Sequence, residues 1–212
     1  MRVEIWSDVV CPWCYLGKRQ FETALTSFEH GDDVEVVYRS FELDPSAPKD
    51  ETTSTVERLA SKYGMTVDQA ATAQEQMQER AALQGLDFNL AGLRSGNTRD
   101  AHRLLQLAGE RGRQPELVER LHRAYFSEQR SIFDAGSLTE LAVEVGLDPT
   151  EVQQVLESEE YDDAVAEDEA TAASLGANGV PFFVVDRRYA MSGAQPEAAM
   201  TQLLDRAWSE TG

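Results

Sequence analysis

Apolar positions alternate near both ends of this chain and fall three and four apart between them. Val3-Glu4-Ile5 alternates and predicts a short strand, followed by a turn at Ser7-Asp8 and a helix carrying Leu16, Phe21, Leu25 and Phe28 that stops at Gly31. Val34 to Phe41, rich in β-branched and aromatic residues, predicts a second strand. From Leu43 the texture changes. Asp44-Pro45-Ser46-Ala47-Pro48 reads as a linker into a long segment that looks entirely helical.

Val56, Leu59, Ala60 and Tyr63 share a face that ends at Gly64, and Thr66-x-x-Gln69 is a capping-box pattern opening the next helix. Asn97-Thr98 stands before Ala101, Leu104, Leu105 and Ala108, and Pro115 suits the first turn of a helix carrying Val118, Leu121 and Tyr125. Ser137-x-x-Glu140 and Gly146 bracket another helix, and Asp148-Pro149 starts a last section, broken near Ser158, that runs to Gly176. Phe182 to Val185 and Arg188 to Met191 then form a hairpin about Asp186-Arg187, before a helix with Met200, Leu203, Leu204, Ala207 and Trp208. The expected class is α/β, with a β-α-β half at residues 1–47, an all-helical insertion at 48–165 and a β-β-α half at 166–212. A two-stranded piece is marginal alone, so the two ends must fold together into one sheet.

Composition narrows the function. The 38 Asp and Glu outnumber the 19 Lys and Arg, for a net charge of −19. Nucleic-acid binding needs a basic face, which this balance disfavours, and anionic membranes are disfavoured likewise. No apolar run approaches a membrane span, and the first residues carry no uninterrupted apolar leader, so the expected location is the cytoplasm. The run from Asp148 to Asp186 holds eleven acidic residues and no Lys or Arg, and reads as a solvated helix face.

The chain has 2 cysteines, and both lie in Cys11-Pro12-Trp13-Cys14, between a predicted strand and a predicted helix. A structural zinc site needs four ligands, and His30, His102 and His122 show no matching spacing. The redox reading uses the position. A thiol at a helix N-terminus lies at the positive end of the dipole, near unpaired N–H donors that favour thiolate. Cys11 is therefore the expected nucleophile, with its pKa below that of a free thiol, and Cys14, one turn later, the resolving thiol. Pro12 fits the first turn because it lacks an N–H, and Trp13 exposes a ring beside the sulfurs; both tune the helix start. Far along the chain, Gly179-Val180-Pro181 precedes a strand, where a proline is either punctuation or a functional cis residue.

These features, with Phe41-Glu42-Leu43-Asp44-Pro45, Asn97-Thr98, Ala101-His102, Ala124-Tyr125-Phe126 and Ser192-Gly193-Ala194, resemble the DsbA-like branch of the thioredoxin superfamily, in particular its FrnE-type oxidoreductases. The resemblance implies a thioredoxin-like fold interrupted by a helical domain. It implies that Cys11 and Cys14 are the redox pair, that Pro181 is cis, and that Val180 and Pro181 line the path of a substrate chain. It also suggests that Asn97, Thr98 and His102 contact a thiol ligand such as glutathione; the alternative is that the first two only cap a helix. The expected activity is thiol–disulfide exchange on protein or small-molecule disulfides, with no cofactor required and glutathione as an optional co-substrate. The Trp of Cys-Pro-Trp-Cys replaces the His of the periplasmic DsbA centre, which removes a group that stabilises the thiolate. Two other readings are a glutathione-dependent isomerase or transferase of the 2-hydroxychromene-2-carboxylate isomerase or kappa-class type, and a polypeptide-binding holdase.

Overall fold

A computed structural model describes residues 1–49 and 53–210. It resolves into two compact units, residues 1–43 with 164–212 and residues 44–163.

The first unit is built on a four-stranded sheet. Strand β1 (Arg2–Ser7) leads into helix α1 (Pro12–Ser27), and β2 (Glu35–Ser40) returns parallel to β1, which requires the helical crossover between them. Gly31–Asp33 forms a 3-10 turn after α1, so the helix ends at Ser27 and not at Gly31. The sheet is completed by a hairpin from the other end of the chain, β5 (Phe182–Val185) and β6 (Tyr189–Ser192). Its order is β2-β1-β5-β6, with β5 antiparallel to both neighbours. Asp186 and Arg187 have φ of 47° and 54° in the three-residue turn 186–188, which the Arg188 N–H closes on the Val185 carbonyl at 3.0 Å. Neither is glycine, so the turn is held by other bonds: the Arg2 N–H donates to Asp186 Oδ1 at 2.7 Å, and the Arg187 guanidinium pairs with Glu4.

The period of two in β1 separates its faces. Ile5 and Phe183 are register partners on one face, where Phe183 meets Phe21 of α1 at 5.6 Å between ring centroids. On the other face Trp6, Phe182 and Val184 form a cluster with Ala172 of α8 (Asp162–Ser174). Helix α9 (Glu197–Ser209) packs on α1, and Trp208 stacks on His30 at 4.2 Å.

A charged network crosses the Trp6 face. Glu4 is 3% exposed and takes hydrogen bonds from Arg39 Nε and Nη2 at 2.9 and 2.7 Å and from Arg187 Nη2 at 2.6 Å. Arg39 also bonds Asp168 at 3.2 Å, whose other carboxylate oxygen accepts the Ser40 N–H at 2.9 Å. The Asp168 carbonyl accepts Trp6 Nε1–H at 2.8 Å. This corrects the reading of the acidic run as solvated throughout. Asp168 is buried because two basic side chains and a strand N–H from distant sequence converge on its neighbourhood.

The second unit contains α2 (Thr55–Tyr63), α3 (Val67–Ala82), α4 (Arg99–Glu110), α5 (Gln114–Phe126), α6 (Ala135–Glu144) and α7 (Pro149–Glu157). Thr66 and Gln69 make both halves of the capping box. Two expectations fail locally. The segment is not wholly helical, because β3 (Thr53–Ser54) pairs antiparallel with β4 (Arg94–Ser95), a bridge too short to show a period. Helix α6 starts at Ala135, two residues before Ser137: Asp134 is its cap and accepts the Ser137 N–H at 2.8 Å. The break after α7 has a cause in α4. Arg103, 3% exposed, donates to the carbonyls of Val155, Ser158 and Glu160, satisfying groups that a continuing helix would have used. Among the described residues no helix is long and apolar enough to cross a membrane.

Candidate active site at the start of the first helix

The turn between β1 and α1 is closed by the Cys11 N–H, which donates to the Asp8 carbonyl at 3.1 Å. Cys11 is the N-cap with extended backbone, and Pro12 occupies the first helical turn, where its missing N–H costs nothing. The Cys14 and Tyr15 N–H groups both donate to the Cys11 carbonyl, at 3.0 and 3.3 Å, which winds the helix immediately. Both cysteines are free thiols, 4% and 2% exposed. Trp13 between them is 41% exposed.

The two sulfurs differ in surroundings more than in exposure. Cys11 Sγ makes no cap hydrogen bond to the first-turn N–H groups, and donates to the Val180 carbonyl at 3.7 Å. That bond needs the thiol proton, so it belongs to the neutral form and is lost when the thiolate forms. Burial pushes the Cys14 thiol well up, and the neighbouring Cys11 adds to the rise; the Ser7 side chain and the Asp8 backbone N–H oppose it by hydrogen-bonding to the sulfur. Asp8 is fixed in turn, since its Oδ2 accepts the Leu43 N–H at 2.7 Å.

The segment facing Cys11 is held from two sides. The Val180–Pro181 bond is cis, and the Pro181 carbonyl accepts the Gly193 N–H at 2.8 Å. A Cβ placed on Gly17, in α1, would lie 2.9 Å from Pro181 Cγ and 3.5 Å from Ala194. Gly17 therefore sets how closely the helix bearing both thiols approaches the loop bearing Val180. Gly17→Ala is expected to slow disulfide exchange about tenfold, because displacement of a reacting group by less than an ångström is costly. Its melting temperature should change little, since alanine favours the helix by about 1 kcal/mol over glycine and offsets the crowding. Stopped-flow exchange with a small aromatic disulfide, run beside thermal melts, checks both; an unchanged rate would show that the loop gives way freely.

Of the other residues singled out from the sequence, Asn97, Thr98 and His102 belong to the second unit. Asn97 Oδ1 accepts the Arg99 N–H at 2.9 Å, and its amide donates to the Pro45 carbonyl at 3.2 Å. Thr98 is the N-cap of α4 but makes no side-chain cap bond, so capping at this start falls to Asn97. Thr98 and His102 are 3% and 0% exposed. Sequence reasoning gave no role to Ser7 and none to Gly17 alone, although a glycine six residues into an amphipathic helix was a signal of close packing.

The model of the DSBA-like thioredoxin domain family matches residues 2–205. A crystal structure of a probable DsbA oxidoreductase from Streptomyces coelicolor superposes with a TM-score of 0.96 at 51% identity, covering 99% of this chain and 91% of that one. An uncharacterized protein of Bacillus subtilis (strain 168), YwbO, is 33% identical over 164 residues, 77% of this chain and 75% of its own. A cytosolic disulfide reductase from Pseudomonas aeruginosa, DsbM, solved with glutathione, shares the fold with a TM-score of 0.65 at 19% identity, over 100% of this chain and 98% of that one. With a sheet assembled from both chain ends, a helical insertion and paired thiols at the start of its first helix, the chain belongs to the DSBA-like thioredoxin domain family.

Proposed function

We propose that the protein is a thiol–disulfide oxidoreductase whose Cys-Pro-Trp-Cys centre works through a mixed disulfide. The observation that carries this reading is the pair of free, buried thiols at the helix start, with the Val180 carbonyl on Cys11. Cys11, after losing its proton, attacks one sulfur of a substrate disulfide; a Cys11–substrate S–S bond forms and the other substrate sulfur leaves as a thiolate that takes up a proton. Cys14, deprotonated in its turn, attacks Cys11 Sγ; the Cys11–Cys14 bond forms and the second substrate sulfur leaves. The substrate disulfide gains two electrons and the protein dithiol loses them. The reverse sequence oxidises a substrate dithiol, and the potential of the pair against the glutathione pool sets the direction.

The substrate class is protein or small-molecule disulfides, with glutathione as the candidate co-substrate and the cytosol as the candidate compartment, in keeping with the cytosolic reductase that shares the fold. A glutathione-dependent isomerase would leave Cys14 without a task, and a holdase would need neither thiol. Trapping decides. The Cys14→Ser variant is expected to accumulate a stable Cys11 adduct with glutathione disulfide, read by mass spectrometry. Absence of that adduct, or turnover that persists in it, would sink the oxidoreductase reading.

A further inference from the structure

The charged residues of α1 are Lys18, Arg19 and Glu22, which give the helix a net charge of +1 in a chain of net charge −19. Lys18 is 4% exposed and lies on the buried face of the helix with Cys14, Gly17 and Phe21, one turn after Cys14. Lysine is almost never buried unless it is paired. Its Nζ reaches Glu22 Oε1 at 2.6 Å, but Arg19 Nη1 also approaches the Glu22 carboxylate, at 3.4 Å, so two cations share one anion. Replacing a buried ion pair by apolar side chains is often neutral or stabilising, so stability alone does not call for an ammonium at this position.

We infer that Lys18 is a positioning residue for the resolving step: its buried ammonium, one helical turn from Cys14, supplies a positive field that favours the Cys14 thiolate during attack on the mixed disulfide. This rests on the oxidoreductase reading above. Side chains four apart on a helix have Cβ atoms about 5–6 Å apart, whereas Cys11, seven residues before Lys18, starts about 10 Å away along the axis. The field therefore acts more on the second thiol than on the first. Burial makes the Cys14 thiolate scarce, so the step is sensitive to a nearby charge. Other ionisable groups near this end of α1 are the Cys11 thiol and the Asp8 carboxylate, which the Leu43 N–H engages at 2.7 Å. From the sheet, α1 meets the uncharged Phe183, and from α9, Glu197 accepts from Ser27 at the far end of the helix, at 3.3 Å. In the step itself the Cys14 proton is released, the Cys11–Cys14 bond forms, the Cys11–substrate bond breaks and the substrate sulfur departs as a thiolate.

The test follows both steps in the full-length reduced protein mixed with glutathione disulfide between pH 6 and pH 10, quenched with acid and resolved by mass spectrometry. In Lys18→Met, which keeps the length of the side chain and removes the charge, the glutathione adduct on Cys11 should decay to the Cys11–Cys14 disulfide about ten times more slowly at pH 7. Its pH profile should move up by about one unit, the effect of one charge at this range in a protein interior. Formation of the adduct should slow by a smaller factor. Lys18→Arg keeps the charge and should restore most of the decay rate. Glu22→Gln removes the counter-charge and should speed decay about threefold, with the profile moved to lower pH. The proposal is overturned if Lys18→Met resolves at the wild-type rate or with an unmoved profile, if formation slows as much as resolution, or if Lys18→Arg is as slow as Lys18→Met. Should thermal melts show Lys18→Met unfolded, Glu22→Gln decides alone, and a profile that does not move to lower pH overturns the assignment. If Cys14→Ser gives no adduct, the oxidoreductase reading fails and this assignment with it; if the adduct forms there but Lys18→Met resolves normally, only this assignment fails.

Discussion

Cys11→Ser is expected to reduce disulfide exchange to background, a loss of at least about 10³-fold, while leaving the fold intact. Serine is close to cysteine in size, and its hydroxyl can still donate to the Val180 carbonyl that Cys11 contacts at 3.7 Å. What disappears is a sulfur able to form a disulfide. The variant should melt within a few degrees of the parent, so that lost turnover reports chemistry and not folding. The partner thiol adds a pH dependence. Burial, reinforced by Cys11, holds the Cys14 thiol well above its usual range, so its thiolate fraction rises as pH is raised through neutrality and beyond. Decay of the Cys11 adduct in the parent should therefore accelerate from pH 7 to pH 9, as followed by acid quenching. A flat profile would mean that Cys14 is already ionised at neutral pH, against the burial that surrounds it.

Arg39→Ala is expected to be the most destabilising of the single changes considered. Arg39 joins Glu4, at 2.7 Å, to Asp168, at 3.2 Å, and both carboxylates are less than a tenth exposed. Without it, Asp168 keeps the Ser40 N–H but loses the cation that pairs with it in the network, and Glu4 depends on Arg187 alone. Removing one partner of a buried ion pair costs about 3 kcal/mol, which for a chain of this size lowers the melting temperature by roughly 6–12 °C. Circular-dichroism melts at pH 7 check this, and a drop of less than about 2 °C would show the network to be dispensable.

The same network dictates an acid limit. Burial raises the Glu4 carboxyl, but hydrogen bonds from Arg187 and Arg39, with their charges, outweigh it and leave the group below its ordinary value of 4.5. A group depressed in the folded state stabilises fully above its unfolded pKa, and that contribution is lost as pH falls through the folded value. Stability should therefore fall on acidification below about pH 4.5, and Glu4→Gln should flatten that part of the curve while lowering stability at pH 7.

Local rules explain which parts of this architecture can be read from the chain. The Thr66-Gln69 capping box involves neighbours only, and so does the alternation of Val3-Glu4-Ile5 that marks β1. Where neighbouring signals compete, a local pattern does not decide: Ser137-x-x-Glu140 has the spacing of a helix start, but the Asp134 side chain is the one in position to cap. The β3–β4 bridge escaped because two-residue strands have no period to detect.

The sequence by itself determined the class of fold, through apolar spacing that leaves each end of the chain with half a sheet, and it brought both thiols to one helix start. Tertiary structure alone decided what surrounds those thiols. Val180 lies 169 positions from Cys11, Gly17 is constrained by Pro181, and Glu4 draws its cations from residues 35 and 183 positions away. The reason is physical: a backbone period or a cap is set by bonds within a few residues, whereas burial and charge compensation depend on which distant side chains the sheet register brings into contact.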